Sequence, residues 1–295
     1  MIQSILTLIA VLFRITANPL GNVFQKQLIN RGNNPLVINF LTYGFLSVLC
    51  LPFALDIHWS GFPAPFWFYA LMVGILGAFG NGFLVKALEK GDLSVLGPIN
   101  SYKSVVGVIA GILLLGEIPG AWGMLGVFLI IGGSYFILDT TDDRFSWNLL
   151  KRKEIQFRFF ALLLTAIEAI FVKKVIIISS QTIACIIWCG IGAVFSFVFL
   201  LFSGINPAKE LIKLKFSDFP KSVILVICVG TTLITTIYTF DHMPVGYALS
   251  LFQLSSIGSV LLGHKFFDEQ DIRKKLVGAC IMIAGSVVII LCKDL

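Results

Sequence analysis

The chain has 295 residues, of which 57% are hydrophobic and only 13% are charged, and its formal net charge is +6. A soluble domain needs about a quarter charged residues to cover its surface, so this composition excludes a water-soluble globule and indicates a membrane protein in contact with the lipid bilayer. The basic excess does not indicate nucleic-acid binding, because no basic face interleaved with aromatic residues is present.

Ten apolar runs predict ten membrane-spanning helices, because a spanning helix needs roughly 20 apolar residues. In chain order the predicted spans are 3–25, 36–56, 66–88, 93–115, 120–138, 157–178, 181–203, 221–241, 245–267 and 275–292. The longest connections, about 139–156 and 204–220, are too short to bury a core, so we expect no soluble catalytic or sensor domain. The N-terminus lacks a basic region and a small-residue cleavage site, so we expect no cleavable signal peptide.

Basic residues are concentrated on one side of the predicted bundle. Seventeen of the 22 Lys and Arg residues lie in connections that follow odd-numbered spans, three lie on the opposite side, and Arg14 and Lys103 lie inside spans. Because basic residues stay cytoplasmic, this bias predicts that both termini face outside. We expect a multi-pass protein of the inner cell membrane.

Polar residues recur every fourth position along the first span, at Arg14, Asn18, Asn22 and Lys26. This spacing forms one slowly winding stripe, which would be costly to place against lipid. We therefore expect the stripe to form the polar wall of a substrate path. The alternative is that Arg14 and the two asparagines bond to neighbouring helices, while Lys26 extends to the membrane interface.

The fourth span carries Lys103 near its middle, and Asn100 shares the same helix face. Pro98 interrupts the helix just before them and frees backbone carbonyls. A broken helix beside a cation and an amide suits a carboxylate or a phosphate, so we predict that Lys103 contacts or gates the substrate. The alternative, which is compatible with the first, is an ion pair with Glu168, the one carboxylate deep inside a predicted span.

Asn81 in the third span and Gln253, Ser255 and Ser256 in the ninth are further deep polar residues. They either line the site or form hydrogen bonds between helices. No phosphate-binding loop, nucleophile elbow or His-Glu-x-x-His motif occurs, so we expect no enzyme activity, catalytic residue, metal or cofactor. The six cysteines are interpreted as apolar packing residues.

Two segments of the chain resemble each other, and each corresponds to the end of a five-span unit. Residues 117–137 align with residues 269–289 at an offset of 152, which superposes Glu117, Gly126, Gly133, Ser134 and Ile137 on Glu269, Gly278, Gly285, Ser286 and Ile289. Because five is odd, the second unit would enter the membrane inverted. The sequence thus predicts an all-α membrane fold of ten transmembrane helices in two inverted five-helix repeats, residues 1–140 and 155–295, with a substrate site between them.

Two smaller features of the repeats have alternative interpretations. Glu117 and Glu269 end the fourth and ninth spans, where we expect them to close the following turn; the alternative is proton coupling. Gly107 and Gly111 in the fourth span are interpreted as intramolecular packing positions, with a dimer contact as the alternative. We accordingly expect a monomer or a homodimer.

Several segments of the chain match a known family pattern: residues 87–98, which end at Pro98, the run 113–117, residues 243–248 and residues 263–269. On these segments the chain resembles the drug/metabolite transporter superfamily, specifically its ten-helix EamA-type members. The second half lacks a counterpart of Pro98, and family members are usually drawn with both termini cytoplasmic, against the charge bias.

The resemblance implies a secondary transporter of a small polar metabolite, such as an amino acid or related carboxylate, that works by alternating access and more often in the direction of efflux. Arg14 and Lys103 would hold an anionic group of the small-molecule substrate. Asn18, Asn22, Asn81, Asn100 and Gln253 would orient its polar remainder, and Glu168 would complete the site. The alternatives are an importer of a nucleotide-like metabolite such as S-adenosylmethionine, or a lipid flippase.

Overall fold

A computed structural model describes residues 2–106, 109, 120–140 and 151–291. These residues are mostly helical, and no strand occurs among them. The α-helices with assigned bounds are α1 (Ile2–Asn30), α2 (Pro35–Leu55), α3 (Ala64–Lys90), α4 (Leu93–Leu96), α5 (Ala121–Leu138), α6 (Lys153–Ile178), α7 (Gln181–Phe202), α8 (Pro207–Ile212), α9 (Phe219–His242), α10 (Val245–Phe252), α11 (Ser255–Phe267) and α12 (Ile272–Leu291). Short 3₁₀ turns lie at Trp59–Gly61, Pro98–Ser101 and Phe216–Asp218.

Within the described residues, seven helical segments are long and apolar enough to cross a membrane. They are Ile5–Asn30, Pro35–Leu55, Ala64–Lys90, Ala121–Leu138, Gln181–Phe202, Phe216–His242 and Val245–Phe267. They coincide with the first, second, third, fifth, seventh, eighth and ninth predicted spans. The sixth and tenth predicted spans correspond to α6 and α12. The fourth predicted span lies partly outside the described residues. Glu117, Gly107 and Gly111 lie outside them.

The long helices pack in a small number of extensive pairs. Helix α3 packs along α6 and α7, α1 along α9, α2 along α7, and α5 along α12. The α5–α12 pair crosses closely because glycines face each other. A Cβ atom on Gly126 would lie 2.7 Å from the carbonyl oxygen of Gly285, and one on Gly278 would lie 2.5 Å from that of Gly133. Neither approach leaves room for a side chain, so the crossing depends on glycine.

The helices of the fourth and ninth predicted spans, which we call the fourth and ninth helices and which are distinct from α4 and α9, are both broken. In the fourth, α4 ends at Leu96 and a 3₁₀ turn over Pro98–Ser101 follows, as expected from Pro98. In the ninth, α10 and α11 are separated by a turn at Gln253, although no proline is present.

Backbone hydrogen bonds that span three residues instead of four mark the break in the ninth helix. The Gln253 backbone N–H bonds to the carbonyl of Ser250, three residues back, at 3.0 Å. Both the backbone N–H and the hydroxyl of Ser256 donate to the Gln253 carbonyl, at 2.9 and 2.7 Å. The backbone ladder therefore changes from four-residue to three-residue hydrogen bonds around Gln253, and this break occurs without a proline.

Candidate functional site

A cavity of about 170 Å³ lies between the broken helices and α1, α3, α6, α7 and α9. Seven of the eight residues predicted to form the site line this cavity: Arg14, Asn18, Asn22, Asn81, Asn100, Lys103 and Glu168. The eighth, Gln253, lies directly behind them, because the Asn100 side-chain amide donates to Gln253 Oε1 at 3.2 Å. The two breaks therefore meet through this amide pair.

Arg14 reaches the cavity from α1 with part of its guanidinium group unpaired. Its Nε donates to Thr236 Oγ1 at 2.8 Å, and the guanidinium carbon lies 4.6 Å from the centre of the Phe252 ring. Its Nη1 is buried without a hydrogen-bond partner in the part of the chain that the structure describes. Because an unpaired buried donor is costly, this atom is available to a ligand.

Lys103 and Glu168 both line the cavity, but they form no ion pair with each other. Glu168 Oε1 instead accepts from the indole N–H of Trp188 at 2.6 Å. Lys103 has no hydrogen bond or ion pair to any other described residue, although Arg14, Arg158 and Glu168 all lie within electrostatic range. The ion pair with Glu168 considered from the sequence is thus absent, and the Lys103 ammonium group has no partner among the described residues.

A glycine makes room for the carboxylate of Glu168. A Cβ atom on Gly77 would lie 2.6 Å from Glu168 Oε1 and 3.2 Å from Tyr43 Oη. The Tyr43 ring stacks on Trp188 with ring centres 4.3 Å apart, and its hydroxyl oxygen accepts from the Asn81 amide at 2.7 Å. Gly77 therefore lets an aromatic pair and a carboxylate converge at one wall of the cavity.

Arg158 is a cavity residue that the sequence analysis missed. It is one of the seventeen basic residues assigned to the connections and lies at the start of the predicted sixth span, but α6 begins at Lys153, so Arg158 lies inside the helix and is buried. Its Nε donates to the Leu96 carbonyl at 2.7 Å and its Nη2 to Asn100 Oδ1 at 3.0 Å. The spacing carried a signal, because Arg158 shares a helix face with the cavity residues Ala161, Thr165, Glu168 and Val172.

Lys26 lies on the α1 stripe but is not among the residues that line the cavity. It is buried, and its ammonium nitrogen lies 3.0 Å from Glu269 Oε1 and 2.9 Å from the Gly91 carbonyl oxygen. Lys275, also buried, places its nitrogen 3.9 Å from Asp92 Oδ2, and Lys26 lies at the same distance from Asp92 Oδ1. We call Lys26, Asp92, Glu269 and Lys275 the paired cluster.

Glu269 also caps the start of α4. Its carboxylate accepts from the backbone N–H groups of Leu93 and Ser94, both at 2.8 Å. Burial alone would raise the pKa of Glu269, but Lys26 and the bonds from Ser94 outweigh it and hold that pKa below its ordinary value. Glu269 thus connects the turn before α12 to the start of the fourth helix.

No cluster of His, Cys, Asp and Glu side chains that could hold a metal ion occurs in the described ranges. The polar groups of the cavity are cations, amides, hydroxyls and one carboxylate. This arrangement can bind and orient an organic anion through charge-assisted hydrogen bonds.

Comparison with known proteins identifies the class. Residues 4–139 match the model of the EamA-like transporter family. This match covers just under half of the chain, and the family is part of the drug/metabolite transporter superfamily. Together with the apolar helices, it indicates a multi-pass membrane protein that is similar to a family of small-molecule transporters.

A solved structure named only "Crystal structure of protein" is similar in fold, with a TM-score of 0.67 over 97% of this chain and 97% of that chain. At 14% sequence identity, the similarity is one of fold alone. No curated protein gives a significant match to the sequence.

Proposed function

We propose that this protein is a secondary transporter that moves a small carboxylate-bearing metabolite, such as an amino acid or related carboxylate, across the inner cell membrane by alternating access. The observation that supports this proposal most directly is the set of side chains that line the cavity. It brings Arg14, Lys103 and Arg158 together with amide side chains at the point where two broken helices meet. Broken helices at a shared site are typical of secondary transporters, because they present polar backbone and side chains to a bound solute.

The proposed mechanism needs two halves that can rock around the cavity, and helix packing supports such halves. At the repeat offset of 152 residues, the contact of Gly126 with Gly285 maps onto the contact of Gly278 with Gly133. Reciprocal contacts of this kind are expected between units related by a two-fold axis. The α3–α6 and α9–α1 pairs correspond in the same way. They favour two inverted five-helix repeats over residues 1–140 and 155–295.

The size of the cavity favours an amino-acid-sized substrate. Pockets for drug-sized ligands occupy roughly 300–1,000 Å³, and an engineered cavity of about 150 Å³ holds benzene. At about 170 Å³, this cavity is close in volume to the engineered one. It therefore suits a small solute better than a nucleotide-like metabolite or a lipid. Because the cavity is lined by a single chain, one copy of the protein is sufficient. Efflux is proposed from the family resemblance.

Replacing Lys103 by alanine tests the proposal. In proteoliposomes containing the purified protein, we expect substrate flux to fall at least about tenfold, the effect of losing one charge-assisted hydrogen bond. Lys209→Ala removes an exposed lysine away from the cavity and should leave flux unchanged. Unaltered flux in the Lys103 variant would remove this residue from the site. Loading solute on either side of the membrane tests direction.

A further inference from the structure

The charges that line the cavity do not balance. In the part of the chain that the structure describes, the cavity has three cationic side chains, Arg14, Lys103 and Arg158, and one carboxylate, Glu168. Lys103 lies within electrostatic range of the other three. They therefore form one group, which carries two positive charges in excess.

None of the three cations has a carboxylate partner among the described residues. Arg158 donates to a carbonyl and an amide oxygen, and Arg14 to a hydroxyl. Glu154, one turn before Arg158 on α6, pairs with Arg152 instead. The cations are thus solvated by neutral groups, which compensate their charge only in part.

Glu168 does not remove the imbalance. Its Oε1 accepts from Trp188, and the Gly77 backbone fits closely against it. Buried cations that lack a counter-charge destabilise a protein, so a structure that gathers them around a cavity is suited to receive negative charge from a ligand. Arg14 Nη1, which is buried and has no partner among the described residues, is a donor positioned for this.

We propose that the substrate is a dianion, either a small dicarboxylate or a phosphomonoester, whose negative charges are held by Arg14, Lys103 and Arg158. This inference rests on the proposed function and specifies the charge of the solute bound in the same cavity. A dianion neutralises the two excess charges, a monocarboxylate leaves one of them, and a neutral zwitterion leaves both. Both dianion types suit guanidinium groups, which bind carboxylate and phosphate with paired N–H donors.

Ligands of matched size and different charge test the inference. The purified full-length protein is titrated with succinate, its half-amide succinamate and its diamide succinamide, which carry charges of −2, −1 and 0 above the second pKa of succinate. Glycerol phosphate and glycerol form the second arm, which distinguishes a phosphomonoester from a dicarboxylate. We expect at least one dianion to bind about tenfold or more tightly than succinamate, with no binding of either neutral compound.

Variants of the cations connect this preference to the cavity. Lys103→Gln removes one excess charge without breaking a hydrogen bond to a described residue, and we expect the ratio of dianion to monoanion affinity to fall by about tenfold. Arg158→Gln should lower the same ratio and serves as the second variant if the first does not fold. Lys209→Gln is the matched control, because its lysine is exposed and outside the cavity.

The outcomes separate this inference from the proposed function. Equal binding of succinamate and the dianions overturns the dianion assignment, as does flux of a monoanionic or neutral amino acid without binding of either dianion. In both cases the protein remains a transporter. Absence of flux for every carboxylate and phosphate tested overturns both proposals.

Discussion

The paired cluster and the cavity are two groups of charges within the same bundle, and they are built in opposite ways. In the paired cluster, two lysines face two carboxylates, and the Lys26 nitrogen lies 3.0 Å from Glu269 Oε1. In the cavity, three cations share one carboxylate, and no described ion pair joins any of them.

This difference separates structural charge from functional charge. The paired cluster satisfies its own charges and holds the start of α4 through the Glu269 carboxylate. In the cavity, by contrast, the charged side chains remain available to interact with a bound ligand. Removing a charge from either group therefore has opposite consequences for the stability of the empty protein.

The largest expected effect is in the paired cluster. Glu269→Ala removes the closest carboxylate partner of the buried Lys26 and also the cap of α4. We therefore expect the free energy of unfolding to fall by about 3–5 kcal/mol. Chemical or thermal unfolding of the purified protein measures this. Lys103→Gln, in the same assay without ligand, should unfold no more easily than the wild type.

The double variant Lys26→Met, Glu269→Met is the control for this comparison. It removes both charges together and should recover part of the lost stability, because no unpaired ion remains between these two positions. A Glu269→Ala protein as stable as the wild type, or a Lys103→Gln protein that unfolds far more easily, would contradict the distinction between the two groups.

A smaller effect is expected at the cavity wall. In Gly77→Ala, the new methyl group would lie 2.6 Å from Glu168 Oε1 and must displace it from Trp188. Overpacking of this kind typically destabilises by about 1–3 kcal/mol, and we expect flux to fall with it. Flux in proteoliposomes and unfolding of the purified protein are the measurements.

Gly44→Ala is a matched control, since a Cβ atom there meets nothing within 4 Å. Alanine at this helical position should be neutral or stabilising by about 0.5–1 kcal/mol. Equal behaviour of the two glycine variants would show that Gly77 does not set the position of Glu168.

The smallest effect is the pH dependence of the paired cluster. Burial opposes ionisation of Glu269, but Lys26 and Ser94 more than compensate, so its pKa in the folded protein lies below the ordinary value of about 4.3. A lowered folded pKa stabilises the protein above the unfolded pKa, and this stabilisation disappears as the pH falls through the folded value.

We therefore expect the wild type to lose stability below about pH 4 more steeply than Glu269→Gln. Thermal unfolding of both proteins between neutral pH and pH 3 makes the comparison. Parallel curves would mean that Glu269 does not contribute to the acid sensitivity.

Much of the fold was predictable, because lipid penalises polar groups locally. Long apolar runs predicted spans that coincide with the seven apolar helical segments of the described chain. The same penalty predicted that Arg14, Asn18 and Asn22 face the interior, and all three line the cavity. Arg158 was missed because it lies in the first turn of the predicted sixth span and was grouped with the basic connection before it, whereas α6 begins at Lys153 and buries Arg158.

The break in the ninth helix was also unexpected. Proline marks a break in sequence because its ring and missing N–H act within one turn. The turn at Gln253 forms without proline, through backbone bonds that span three residues, and the sequence pattern does not reveal that arrangement.

By itself, the sequence determined that the chain is a helical membrane protein with polar residues inside, since hydropathy and helical spacing are properties of short segments. Only the tertiary structure decided which buried charges are paired. The sequence does not show which of Lys26 and Lys103 has a carboxylate partner, yet Lys26 meets Glu269, 243 residues away, whereas Lys103 meets no carboxylate in the described chain. The physical reason is that a salt bridge depends on where distant helices place their side chains, and that placement follows from packing of the whole bundle.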